Sequence, residues 1–147
     1  MSIESAVIAV GRDEGDRTRR LAEIGVELAD AGAELTIVHA FRTQEAADET
    51  AAQLGYTDGS TSDLAQRLDS VRAVRRALES SGVSVAVDGR VGDPGSVVAT
   101  VAEELAANRV VVGGRDRSPT GKAVFGSTAQ DVLLSAPCPV TFVRRED

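Results

Sequence analysis

Aromatic side chains are scarce, with no Trp, one Tyr and three Phe in 147 residues. A buried interior must therefore be built from Val, Leu, Ile and Ala, which suit parallel strands and the helices that cover them. Cysteine is nearly absent. Cys138 stands alone, which excludes an intramolecular disulfide, and with His39 the only histidine no Cys/His zinc site can be assembled. Cys138 sits in APCP beside an apolar run and reads as a small buried hydrophobe rather than a redox thiol. No window offers the roughly 18 apolar residues of a membrane span. The opening MSIESAVIAV lacks the basic start and small-residue cleavage site of a secretory signal. Cytoplasmic residence is the expectation.

Lysine is missing except for Lys122, beside fifteen arginines. Acidic residues outnumber basic ones 23 to 16, for a formal charge of −7. Like charges repel within a Debye length, so unspecific binding to nucleic acid or to an anionic membrane is disfavoured. The arginine bias with acid excess fits a high-salt cytoplasm and a GC-rich genome equally.

What is present is an alternation. Short, β-branched apolar runs at Ser5–Val10, Leu35–Ala40, Val83–Val87, Arg109–Gly113 and Pro139–Val143 read as buried parallel strands, apolar on both faces. Leu21, Ile24, Gly25 and Leu28 fall on one helical face before a stop at Gly32. Leu64, Leu68, Val71 and Leu78 form a second helical stripe, and Arg67, Arg72, Arg75 and Arg76 its solvated face. Asp93-Pro94 reads as an N-cap and first turn, with Val97, Val98, Val101 and Leu105 inward. Ser127 and Gln130 fit a capping box for a last helix carrying Val132 and Leu133 inward. Arg42–Ser62 is too long for an ordinary loop and is expected to hold an irregular or partly helical excursion. The order β-α-β-α-β-α-β-α-β predicts a single α/β domain over 1–147, a three-layer open parallel sheet of five strands.

Ligands of such sheets bind beyond the carboxyl ends of the strands, where strand order reverses. The loop after the fourth strand, GGRDRSPTGKAVFGST, lies at such an end. Its glycines permit close backbone approach, Ser127 and Thr128 open a helix, and Arg115, Arg117 and Lys122 bring positive charge. The loop reads either as a phosphate site or as a solvated connection. It is not a P-loop, because Asp116 and Ala123 stand where that motif needs Gly and Ser or Thr. The dinucleotide motif is also missing, the first strand being followed by VGRDEG. His39 reads as a hydrogen-bonded structural residue, since no Ser or Cys nucleophile can be paired with it. Asp13, Glu14 and Asp16 read as compensation of a helix dipole. No catalytic residue is expected.

The stretch from Val110 to Arg144 resembles the universal stress proteins, whose fingerprint G-x2-G-x9-G-[ST] falls here on Gly113, Asp116, Gly126 and Ser127. GDPG at Gly92–Gly95 and SAPCPVTFVR are similar to that family as well. The resemblance implies a Rossmann-like adenine-nucleotide-binding fold with sheet order 3-2-1-4-5. It implies ATP or a related nucleotide as ligand, with Gly113, Arg115, Asp116, Gly126, Ser127 and Thr128 at the phosphates and ribose. Gly11 and Val38 would lie at the adenosine end. The departures are Asp116 in place of glycine, and Gly11 or Arg12 where the ATP-binding class carries Asp. A stress-responsive, nucleotide-binding regulator is one reading, and an interaction module of the same fold that binds no nucleotide is the other. A slow ATPase is a weaker third. The resemblance also implies a homodimer through the edge strand Pro139–Val143, and neither reading needs a metal.

Overall fold

The computed structural model describes residues 3–12, 14–15, 17–56, 59–113 and 126–144, apart from the side chain of Ser127. Its strands are β1 Ser5–Ala9, β2 Glu34–Phe41, β3 Val85–Val91, β4 Arg109–Gly113 and β5 Val140–Val143. Its helices are α1 Arg17–Asp30, α2 Gln44–Gln53, α3 Thr61–Ala65, α4 Asp69–Ser80, α5 Pro94–Glu104 and α6 Ser127–Ser135. All four strand pairings are parallel, in the order β3-β2-β1-β4-β5. This is the open three-layer sheet that the alternation predicts. The strand order reverses between β1 and β4, and that break positions the site.

Alternate residues of β1 feed opposite layers, as strand geometry requires. Ala6, Ile8 and Val10 pack with Leu21, Leu28, Val71, Val74 and Leu78 of α1 and α4. Val7 and Ala9 pack on the other face with Val97, Val98 and Val101 of α5 and Val132 of α6. The last turn of α1 closes at Gly32, whose φ of +105° favours a residue without a β-carbon. The Asp93 side chain accepts from the Ser96 N–H at 3.1 Å, and Pro94 follows in the first turn of α5.

Four expectations need correction. The stripe from Leu64 to Leu78 is two helices. The break at Gln66–Leu68 lets both α3 and α4 turn buried residues inward, so periodicity carries across it. The third strand runs later and further than Val83–Val87, through Asp88, Gly89 and Arg90. As an edge strand it need not be apolar on both faces. Leu105 and Leu133, placed inward by spacing, are each 41% exposed. Ser127 is not an N-cap. Gly126 takes that position with φ −67° and ψ 162°, and as glycine it has no side chain with which to cap the helix. The excursion at Arg42–Ser62 is partly helical, as expected: it holds α2, capped by the Thr43 hydroxyl accepting from the Ala46 N–H at 3.0 Å.

Candidate functional site

The carboxyl ends of β1, β2 and β4 open into a cleft of about 750 Å³ between the first turns of α5 and α6. Ala9, Val38, Ala40, Val98, Val112 and Ala129 give it apolar walls. Its charged lining among the described residues is Arg12, Arg17, Arg42 and Glu14. Three guanidiniums against one carboxylate make this a locally positive hollow in a chain of formal charge −7. Its volume lies within the ~300–1,000 Å³ usual for small-molecule sites.

The residues at the end of β1 are tied down from several sides. The Val10 N–H donates to the Val38 carbonyl at 3.0 Å, and Nδ1–H of His39 donates to the Val10 carbonyl at 2.8 Å. The Ser70 hydroxyl, at the start of α4, donates to the Gly11 carbonyl at 2.6 Å. Arg12 reaches across to α2 and donates from Nη1 to the Thr50 hydroxyl at 2.9 Å. Burial pushes the His39 pKa below the ordinary imidazole value. The bond to Val10 opposes that shift and the nearby Arg12 charge adds to it. The ring is therefore neutral at pH 7 and adds no charge to the cleft.

Glu14 lies on the floor of the cleft. Its Oε2 accepts from the Gly11 N–H at 2.6 Å and its Oε1 from Arg17 Nε at 3.0 Å. Glu14 is buried and the Arg17 side chain only 12% exposed, so this ion pair is largely shielded from solvent. A β-carbon on Gly113 would lie 2.8 Å from Arg17 Nε and 3.0 Å from Glu14 Oε1. A side chain at 113 would have to displace the ion pair packed against it. Gly126 is different: its φ is not positive, and no described atom lies within 4 Å of the place a β-carbon would take. Nothing within the described residues demands glycine there.

Of the residues singled out in the sequence, Gly11, Val38, Gly113, Gly126 and Thr128 line one cleft. Ser127 opens α6 beside them. Arg115, Asp116, Arg117 and Lys122 lie outside the described residues, as do Asp13 and Asp16. His39 is the hydrogen-bonded residue expected, though it also faces the cleft. Sequence reasoning missed Arg17, Arg42, Phe41 and Pro94, and took Glu14 for a helix-dipole residue. The spacing of Glu14 and Arg17 is a surface-pair signal on a helix, and nothing in it announces burial. Cys138 is half-buried, and burial pushes its thiol pKa up, against a lowering by Arg109. That is the environment of an inert thiol. Among the described residues no three His, Cys, Asp or Glu side chains gather as a metal site, and no helix is long and apolar enough to cross a membrane.

Known proteins share this architecture over most of the chain. A universal stress protein of Thermus aquaticus is 30% identical over 142 residues, covering 93% of this chain and 97% of its own. The solved universal stress protein of Archaeoglobus fulgidus is 26% identical with a TM-score of 0.74, over 95% of this chain and 98% of that one. A universal stress protein structure from the same organism, in complex with dAMP, has a TM-score of 0.67 at 21% identity, over 97% and 99% of the two chains. The model of the universal stress protein family matches residues 6–144. With Gly113 and Gly126 of the fingerprint lining the switch-point cleft and that match spanning nearly the whole sequence, this chain belongs to the universal stress protein family.

Proposed function

We propose that the chain is a cytoplasmic regulatory module of the stress response that binds an adenine nucleotide, ATP or a relative of it, in the switch-point cleft. The observation that carries this reading is Gly126. It caps α6 without a side chain, faces the cleft, and has no steric reason among the described residues to be glycine. A bare helix N-terminus presents free N–H groups and positive dipole charge to an anion. The apolar surface of Val38, Ala40 and Val98 offers a base the opposite wall. The relative in complex with dAMP supports a nucleotide of this class. Catalysis forms no part of the reading.

The test is Gly126→Asp. Aspartate is a favoured N-cap and suits the helix dipole, so α6 keeps or gains stability. Its carboxylate takes the N–H groups that a phosphate would use. Calorimetric titration with AMP and ATP should show affinity falling by about tenfold or more, with the unfolding midpoint not lowered. Unchanged affinity would remove the α6 terminus as the phosphate site. Gly11, in the place where the ATP-binding class carries Asp, favours the alternative of a module that binds no nucleotide. That alternative takes over if mass spectrometry of the purified protein finds no bound nucleotide and neither titration shows heat.

The same reading includes a homodimer through β5. This strand is an edge of the sheet, paired only with β4 among the described residues. Phe142 on it is half-buried, and Leu134 on the neighbouring α6 is 79% exposed. An uncovered apolar edge favours pairing with a second chain.

A further inference from the structure

Glu14 is the one acidic side chain among the described residues that line the cleft, and it is only 6% exposed. Its carboxylate sits in the trough between the diverging ends of β1 and β4, fixed by the Gly11 N–H at 2.6 Å and Arg17 Nε at 3.0 Å. A strand-end N–H and a guanidinium are what an incoming anion would seek at this end of a sheet. Here both already serve a carboxylate of the chain itself. The Gly11 carbonyl is also engaged, by the Ser70 hydroxyl at 2.6 Å. Both backbone groups of Gly11 are therefore committed, and a buried carboxylate stands beside them.

We infer that Glu14 is a specificity-determining residue, a resident anion that makes the cleft favour nucleotides with one phosphate over those with three. This rests on the nucleotide reading above. A monophosphate places its single anionic group at the α6 N-terminus. A triphosphate must house two more charged groups in the same hollow, against a carboxylate that salt screens poorly because it is buried. Of the three guanidiniums lining the cleft, Arg17 is the one beside this carboxylate, and Glu14 already holds its Nε–H. Removing the charge while keeping the shape removes the repulsion on the added phosphates.

The experiment compares wild type, Glu14→Gln and Glu14→Asp by titration with AMP, ATP and inorganic tripolyphosphate, with Glu14→Ala in reserve should the glutamine variant not fold. The expected result is that Glu14→Gln binds ATP and tripolyphosphate about tenfold tighter, with AMP changed by less than about threefold. Glu14→Asp, which keeps the charge, should retain the wild-type preference. If AMP and ATP bind but the variant shifts both equally or neither, the inference is overturned and the nucleotide reading stands. If no nucleotide binds any form, yet tripolyphosphate binds Glu14→Gln and not wild type, the nucleotide reading falls and the carboxylate remains the resident anion. If nothing binds any form, both are wrong.

Discussion

Nδ1–H of His39 donates to the carbonyl of Val10 at 2.8 Å, joining the ends of two neighbouring strands above the cleft. The ring is buried, and that burial holds its pKa below the ordinary imidazole value. The unfolded chain, with a pKa of about 6.5, therefore takes up a proton before the folded one does. The stability this neutral histidine supplies is complete above about pH 7. It is lost as pH falls below about 6.5 towards the folded pKa, at no more than about 1.4 kcal/mol per pH unit. Urea unfolding of wild type and His39→Gln should diverge over that window, with the variant the flatter of the two. Parallel loss in both would assign the pH dependence to other groups.

Gly113→Ala tests the packing of the buried pair. The added methyl would stand 2.8 Å from Arg17 Nε, so the ion pair or β4 must shift. Overpacking of this kind costs about 1–3 kcal/mol. In an Arg17→Ala background the same substitution should cost less than about 1 kcal/mol, because the obstructing side chain is gone. Equal costs in both backgrounds, measured by denaturant unfolding, would place the strain elsewhere.

Strand β5 is the expected dimer edge, and Thr141 pairs in register with Val111 of β4. Thr141→Arg puts a charged side chain on that strand, where it opposes edge pairing. Light scattering at tens of micromolar should give a dimer for wild type and a monomer for the variant, with circular dichroism unchanged. A monomeric wild type would end the proposal.

Asp116 occupies the second glycine position of the family fingerprint and lies outside the described residues. Glycine there would relieve both a β-carbon and a negative charge near a bound phosphate. Asp116→Gly should tighten Mg-ATP by about 5- to 30-fold, and Arg115→Ala should weaken it. Calorimetric titrations in which neither variant differs from wild type would take this loop out of the phosphate site.

The sheet was legible in the sequence because its strands are short β-branched runs and its crossovers carry clear stripes. Val7, Ile8, Val110 and Val111 are inaccessible, as such runs require. Errors gathered where a local rule met a tertiary one. The stripe through Leu64 and Leu78 kept its phase across a helix break, so periodicity could not reveal the break. Ser127 has the identity of an N-cap, but the backbone turns into the helix one residue earlier, at Gly126. In the cleft, Gly11, Val38, Gly113, Gly126 and Thr128 were named through family resemblance, and the topology brings them together. Arg17 was not found and Glu14 was read as a helix-dipole residue, because their chemistry comes from burial. Burial at a switch point depends on a strand, β4, that lies almost a hundred residues further along.

The far edge of the sheet is closed from within. Gly89 of β3 donates its N–H to the Ser62 hydroxyl at 2.9 Å, and its carbonyl accepts from the Thr61 hydroxyl. A β-carbon at 89 would run into the Thr61 backbone, so glycine is what lets α3 settle against the strand. Beside it, Arg90 pairs with Asp88 and Glu104 across the same strand. The outward groups of Gly89 are those that a further strand would need, and the chain has spent them on itself. Strand addition at the middle of β3 is therefore opposed by α3, whereas the proposed pairing uses the opposite edge, β5. Two copies joined edge to edge through β5 would leave a stoppered margin on either side. Such an assembly would resist further growth into a ribbon.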